Sequence, residues 1–144
     1  MEAELSRVIN PESSGKDRLL LTRSIVRAVR ELMKQAEISD KTRDLAAFIA
    51  IALEAISGTI DTSVEAWEKR GYWLKADRFR LEWEWTGRLG GNMLEALKKE
   101  DWGAVAITAA HIAEKLKNVE LPKRPPKTEP WEGAWAKIKS SNRP

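Results

Sequence analysis

The chain has no cysteine and a single histidine, His111. Without cysteine there is no disulfide, no thiolate nucleophile and no thiolate metal site. A lone histidine excludes multi-His metal centres. His111 also projects about 120° away from the Val105/Ile112/Leu116 face of its predicted helix, which marks a surface position rather than a ligand or base. Carboxylate-bridged di-iron bundles need paired Glu-x-x-His motifs, and none occurs. Glu65 and Glu68 form one E-x-x-E pair of the kind that binds Mg²⁺ in all-α nucleotide pyrophosphohydrolases, but no E-x-x-D follows on the next helix. Ser13-Ser14-Gly15-Lys16-Asp17 lacks both the G-x-x-x-x-G-K-[ST] pattern and a preceding strand, so it is not a phosphate loop. The residues therefore favour a protein without catalytic, metal or cofactor chemistry.

Other absences bound the class. No apolar stretch approaches the roughly 18 residues that suggest a membrane span. The N-terminus, MEAELSRVINPESSG, is polar and acidic, unlike a signal peptide, and the expected location is cytoplasmic. Gln35 is the only glutamine, while Lys, Arg and Glu abound, a profile common in thermophiles. The net charge of +3 is too small to demand a polyanionic partner, yet it is unevenly spread. Residues 39 to 68 sum to −4, leaving +7 elsewhere, much of it near the C-terminus.

What is present is helical periodicity. Leu21, Ile25, Val29, Leu32 and Ala36 predict a first helix over about 13–36. Ser39-Asp40 caps a second to about Arg70, with a seam of Leu45, Ile49, Ala52, Ile56, Ile60, Ser63 and Trp67. Gly58 sits where a neighbouring backbone is expected to approach. Gly71 breaks the chain before a third helix, about 72–99, that tolerates Gly87, Gly90 and Gly91 and is expected to kink or end early at the Gly90-Gly91 pair. A fourth runs from Asp101 to about Lys117. The four prolines of ELPKRPPKTEP then impose an extended strap, and WEGAWAKIK closes the chain as a short helix. The fold class is all-α, with three segments: a flexible N-terminal stretch 1–12, a four-helix up-and-down bundle 13–117, and a Pro-rich arm 118–144 ending in a short Trp-containing helix.

Seven tryptophans are the chief positive feature, and most of the large rings fall in one run, WEKRGYWLKADRFRLEWEW. On a helical wheel Tyr72, Ala76, Phe79, Trp83, Gly90, Leu94 and Leu97 share one side. Leu74, Leu81 and Trp85, flanked by Arg78 and Arg88, share the other. One side packs in the core. The second needs a cover, for which a bundle helix, the arm with Trp131 and Trp135, and a second molecule are candidates.

Charge adds two stripes. Lys16, Arg23, Arg27, Arg30 and Lys34 form a cationic ridge on the first helix, uninterrupted by acid. Glu54, Asp61, Glu65 and Glu68 form the polar stripe of the second, and the two are expected to meet within one chain or across a dimer. These features point to a non-catalytic interaction module, a homodimer that engages a further, unknown protein through the ridge and the Leu74/Leu81/Trp85/Arg78/Arg88 face. A second reading is nucleic-acid binding through the ridge and Lys123, Arg124 and Lys127, which predicts a steep salt dependence. A third is a small-ligand carrier with a pocket among Trp67, Trp73 and Trp83.

Overall fold

The computed structural model describes residues 14–124 and 126–141, so the expected flexible stretch 1–12 lies outside it. Among the described residues the chain is all-helical, with no strand. Its six helices are α1 (Ser14–Met33), α2 (Asp40–Lys69), α3 (Trp73–Trp83), α4 (Trp85–Lys98), α5 (Trp102–Lys115) and α6 (Ala134–Ser141).

The longest, α2, organises the rest. Ser39 caps it reciprocally: its hydroxyl accepts from the Thr42 amide at 3.4 Å, and its own amide donates to Thr42 Oγ1 at 3.0 Å. Leu45, Ile49, Ala52, Leu53, Ile56 and Ile60 are buried along its length. It packs against α1, α3, α4 and α6, while α5 packs on α4 and α1. Contrary to the sequence-based expectation, α2 holds an 18-residue window of mean hydropathy 1.5, long and apolar enough to cross a bilayer by length and composition. The window owes this chiefly to its isoleucines and leucines, set among alanines and small polar residues, and 56% of it is buried within the fold. A close glycine approach is present on α4: a Cβ on Gly90 would lie 3.0 Å from the Leu53 Cβ and 3.5 Å from the Ala50 carbonyl oxygen.

At the end of α2, Gly71 takes φ +81°. Its amide donates to the Glu68 carbonyl at 3.0 Å, and the Tyr72 amide donates to that of Trp67 at 2.9 Å. That pair of bonds is a Schellman closure, which reverses the chain in two residues.

The long third helix expected from the sequence is two helices, and the break falls at Glu84 rather than at Gly90-Gly91. Ring packing explains the position. Trp83 and Trp85 stack with centroids 6.4 Å apart and planes 21° apart. In an unbroken helix, residues two apart point about 200° from each other, so placing both rings on one side requires a change of course between them. The glycines stay inside α4, where Gly90 serves the contact with α2.

The arm returns to the body of the fold. Arg27 donates to the Thr128 carbonyl at 2.7 Å and stacks over the Trp131 ring at 5.2 Å. Trp131, Ala134 and Ile138 are buried. Asp44 of α2 accepts from the Gly133 and Trp135 amides at 3.1 and 3.0 Å, capping α6 across a gap of some ninety residues. Gly133, at the head of α6, has no side chain to do this itself.

Candidate functional site

Because α6 lies on α2, the arm leaves the outer side of α3 uncovered. Tyr72, Trp73, Leu74 and Leu81 are between 55 and 73% exposed, and together they form an apolar ledge at the α2–α3 corner. The inner side of the same short helix is fully engaged. Ala76 is buried, and Phe79 meets Trp67 edge-on at 4.9 Å and Trp83 at 6.4 Å. Arg18 of α1 lies over Phe79 and Trp83 at 4.8 and 5.6 Å and donates to Thr59 Oγ1 at 3.3 Å. Burial against these rings lowers the Arg18 pKa, partly offset by Glu82 nearby, but an arginine starts so high that it stays charged. The ledge thus stands on a stacked aromatic base.

Its charges are of two kinds. Arg80 is committed to structure: it bridges Glu68 of α2 at 3.0 Å and Asp77 at 2.8 Å, and these hydrogen bonds, that to Glu68 foremost, raise its pKa. Lys75 rests over the Trp67 ring at 4.6 Å. Neither Lys75 nor Arg78 forms an ion pair among the described residues. Trp67, Gly71, Tyr72, Trp73, Leu74, Lys75, Arg78 and Phe79, with Glu82 as the one acid, line an open groove of about 810 Å³.

The structure separates residues that the helical wheel had grouped. Leu74, Leu81 and Arg78 do share the outer side of α3. Trp85 does not join them: it is 6% exposed and sits in the core, because the break at Glu84 turns it inward. Arg88 is exposed on α4, a different helix. Tyr72, assigned to the inner face, is exposed, since it precedes α3 with φ −89° and ψ 60° and falls outside the wheel. Tyr72 and Trp73 are the site residues that the periodicity missed. The signal for them was Gly71, which ends α2 and frees the residues after it from either helix.

The cationic ridge is also divided. Lys16 and Arg30 are exposed; Lys34 reaches Glu31 at 3.4 Å. Arg27 holds the arm, and Arg23 is partly buried with its Nε enclosed. Among the described residues no ion pair joins this ridge to Glu54, Asp61, Glu65 or Glu68: Glu65 pairs with Lys69 and Glu68 with Arg80. Lys123, Arg124 and Lys127 of the arm are exposed, as is His111. Of the three tryptophans expected to line a pocket, Trp67 and Trp73 line the groove and Trp83 does not. No group of three or more His, Asp or Glu side chains among the described residues is placed to hold a metal ion. Comparison with known proteins returns no matching family model, no matching curated protein and no matching solved structure.

Proposed function

We propose that the chain is a non-catalytic helical interaction module, a four-helix up-and-down bundle in organisation, that self-associates and engages another macromolecule through the α3 ledge. The ring of contacts α1–α2–α4–α5–α1 supports the bundle reading. The observation that carries the function is the exposure of Tyr72, Trp73, Leu74 and Leu81 together, on a helix whose inner side is already packed. Large apolar side chains are left clustered in water where a partner covers them. Tryptophan, tyrosine and arginine are also the residue types on which interface energy concentrates. Lys75 and Arg78, which form no ion pair among the described residues and outnumber the single groove acid Glu82, suit a protein surface that offers carboxylates beside apolar side chains. The openness of the groove favours a macromolecule, because small-ligand sites enclose most of their ligand.

A nucleic-acid reading has one specific support: the Tyr72 and Trp73 rings stand exposed beside Lys75 and Arg78, which suits bases stacked along a single strand. One experiment separates the two. A photo-crosslinking amino acid replaces Leu81 in the living cell, with Glu65 on α2 as the control position. A protein adduct at Leu81 alone, lost on adding Trp73→Ser with Arg78→Glu, agrees with the proposal. A nucleic-acid adduct at Leu81 moves the assignment to the second reading. Equal yields at both positions would sink the ledge as a site of either kind.

A further inference from the structure

The chain enters the fold beside the α3 ledge. Helices α1 and α2 are joined by a short connection and run antiparallel, so that Arg18, one turn into α1, reaches Thr59 in the second half of α2. Residues before Ser14 therefore head toward the C-terminal end of α2, where Trp67 and Gly71 line the groove. The same Arg18 lies 4.8 Å from the ring of Phe79, another groove residue. Residues 1–13 lie outside the described residues, and their sequence is MEAELSRVINPES. Thirteen residues reach at most about 45 Å, ample for the roughly 17 Å length of the 11-residue α3. Leu5, Val8 and Ile9 stand at i, i+3 and i+4, the spacing of one apolar face. Glu2, Glu4 and Glu12 outnumber the one cation, Arg7. The groove is the converse: apolar rings with Lys75 and Arg78 against the single acid Glu82.

We propose that segment 1–13 folds back onto the ledge of its own chain as a reversible cover, which a partner must displace. This rests on the reading of the ledge as the interaction site and assigns that site its regulation. The C-terminal arm is no competitor, since Asp44 and Arg27 fix it on α2 and α1. The exposed pair Met33 and Ile38 lies past the far end of the 20-residue α1, about 30 Å from Ser14. Tethering makes a weak contact sufficient. A short linker holds the segment at an effective concentration on the order of millimolar, so a millimolar intrinsic affinity closes the ledge about half the time. Opposite charges set the register, with the glutamates toward Lys75 and Arg78 and the apolar trio toward Trp73 and Leu74. A partner that takes the segment's place must offer the same chemistry, an acidic stretch with clustered apolar side chains.

The test is paramagnetic broadening of amide signals in the full chain. Since the sequence has no cysteine, Ser6→Cys supplies a unique thiol for a nitroxide label. The amides of Trp73, Leu74, Lys75 and Arg78 should lose most of their intensity and regain it when the nitroxide is reduced. Those of Met33 and Ile38 should keep theirs. Leu5→Glu with Val8→Glu should restore the ledge signals at unchanged helicity. So should Trp73→Ser with Arg78→Glu, read at Leu74 and Lys75. Ledge signals that keep full intensity overturn the proposal, as does broadening confined to α1, where Leu19 and Leu20 are also exposed. Equal broadening of isotope-enriched, label-free chains mixed with labelled ones overturns it in favour of a second copy. The broadening needs no partner, so it decides the contact whether or not the photo-adduct at Leu81 forms. Where that adduct forms, Leu5→Glu with Val8→Glu should raise its yield about twofold, since a ledge closed half the time shows half its affinity. An unchanged yield overturns the competition. An adduct without broadening leaves the ledge reading standing and removes the cover alone.

Discussion

Gly90 and Gly91 are neighbours on α4, yet their surroundings are opposite. A Cβ at Gly90 would meet the Leu53 Cβ at 3.0 Å and the Ala50 carbonyl at 3.5 Å, whereas at Gly91 nothing lies within 4 Å. In a helix, alanine is preferred to glycine by about 1 kcal/mol wherever space allows. Gly91→Ala should therefore raise stability by about 0.5–1 kcal/mol in thermal or chemical unfolding. Gly90→Ala has the same propensity gain but forces α2 and α4 apart along their closest contact. We expect a net loss of about 1–2 kcal/mol, because overpacking a tight contact outweighs propensity. If both variants gain stability, the close approach of α2 and α4 is wrong. At this scale the sequence shows two adjacent glycines and cannot tell them apart; the difference arises only from what stands opposite.

Among the elements, α6 is the one held by residues far away in the chain. Its first amides are satisfied by Asp44 of α2, and the strap before it by Arg27 of α1. Asp44→Ala leaves the part-buried Trp135 amide without its acceptor and turns the exposed Gly133 amide over to water, at a cost of about 1 kcal/mol. The effect should be local. Amide exchange at Gly133 and Trp135 should accelerate, and protease should cut sooner in the strap, while the amides of α2 and α4 keep their protection. Uniform acceleration over the whole chain would show instead that the arm and the body unfold as one unit. Helix α3 offers the complementary case. Its sequence has an apolar residue on nearly every side, and the wheel could not say which side would be buried. The break at Glu84 decided it, drawing Trp85 in and leaving Leu74 and Leu81 out.

For the molecule as a whole, the charge stripes look paired on paper and, among the described residues of one chain, are not paired. Asp61 is exposed and joins no ion pair among the described residues, while Arg27 clamps the strap. Asp61→Lys should change stability by less than about 0.5 kcal/mol, as surface substitutions usually do. Arg27→Glu should lower it by about 1–2 kcal/mol, through the lost bond to Thr128 and the lost stacking on Trp131. Adding Asp61→Lys should not restore what Arg27→Glu removes; restoration would show the two stripes in contact after all.

Much of the architecture was legible from local rules. Capping at Ser39, the Gly71 corner and the proline strap each depend on residues close together in the chain, and the cap and the corner appear where those residues stand. The all-α class follows from the same short-range periodicity. What local rules could not supply was the partner of each face: whether the arm would cover α3 or α2, whether Trp85 would sit with Leu81 or with the core, and whether the basic ridge would meet acids or a backbone carbonyl. Those outcomes turn on distances between segments some ninety residues apart, which no spacing in the chain encodes. They follow from the one packing in which α2 is surrounded, α6 is capped by Asp44, and the outer side of α3 is left bare by the other described residues.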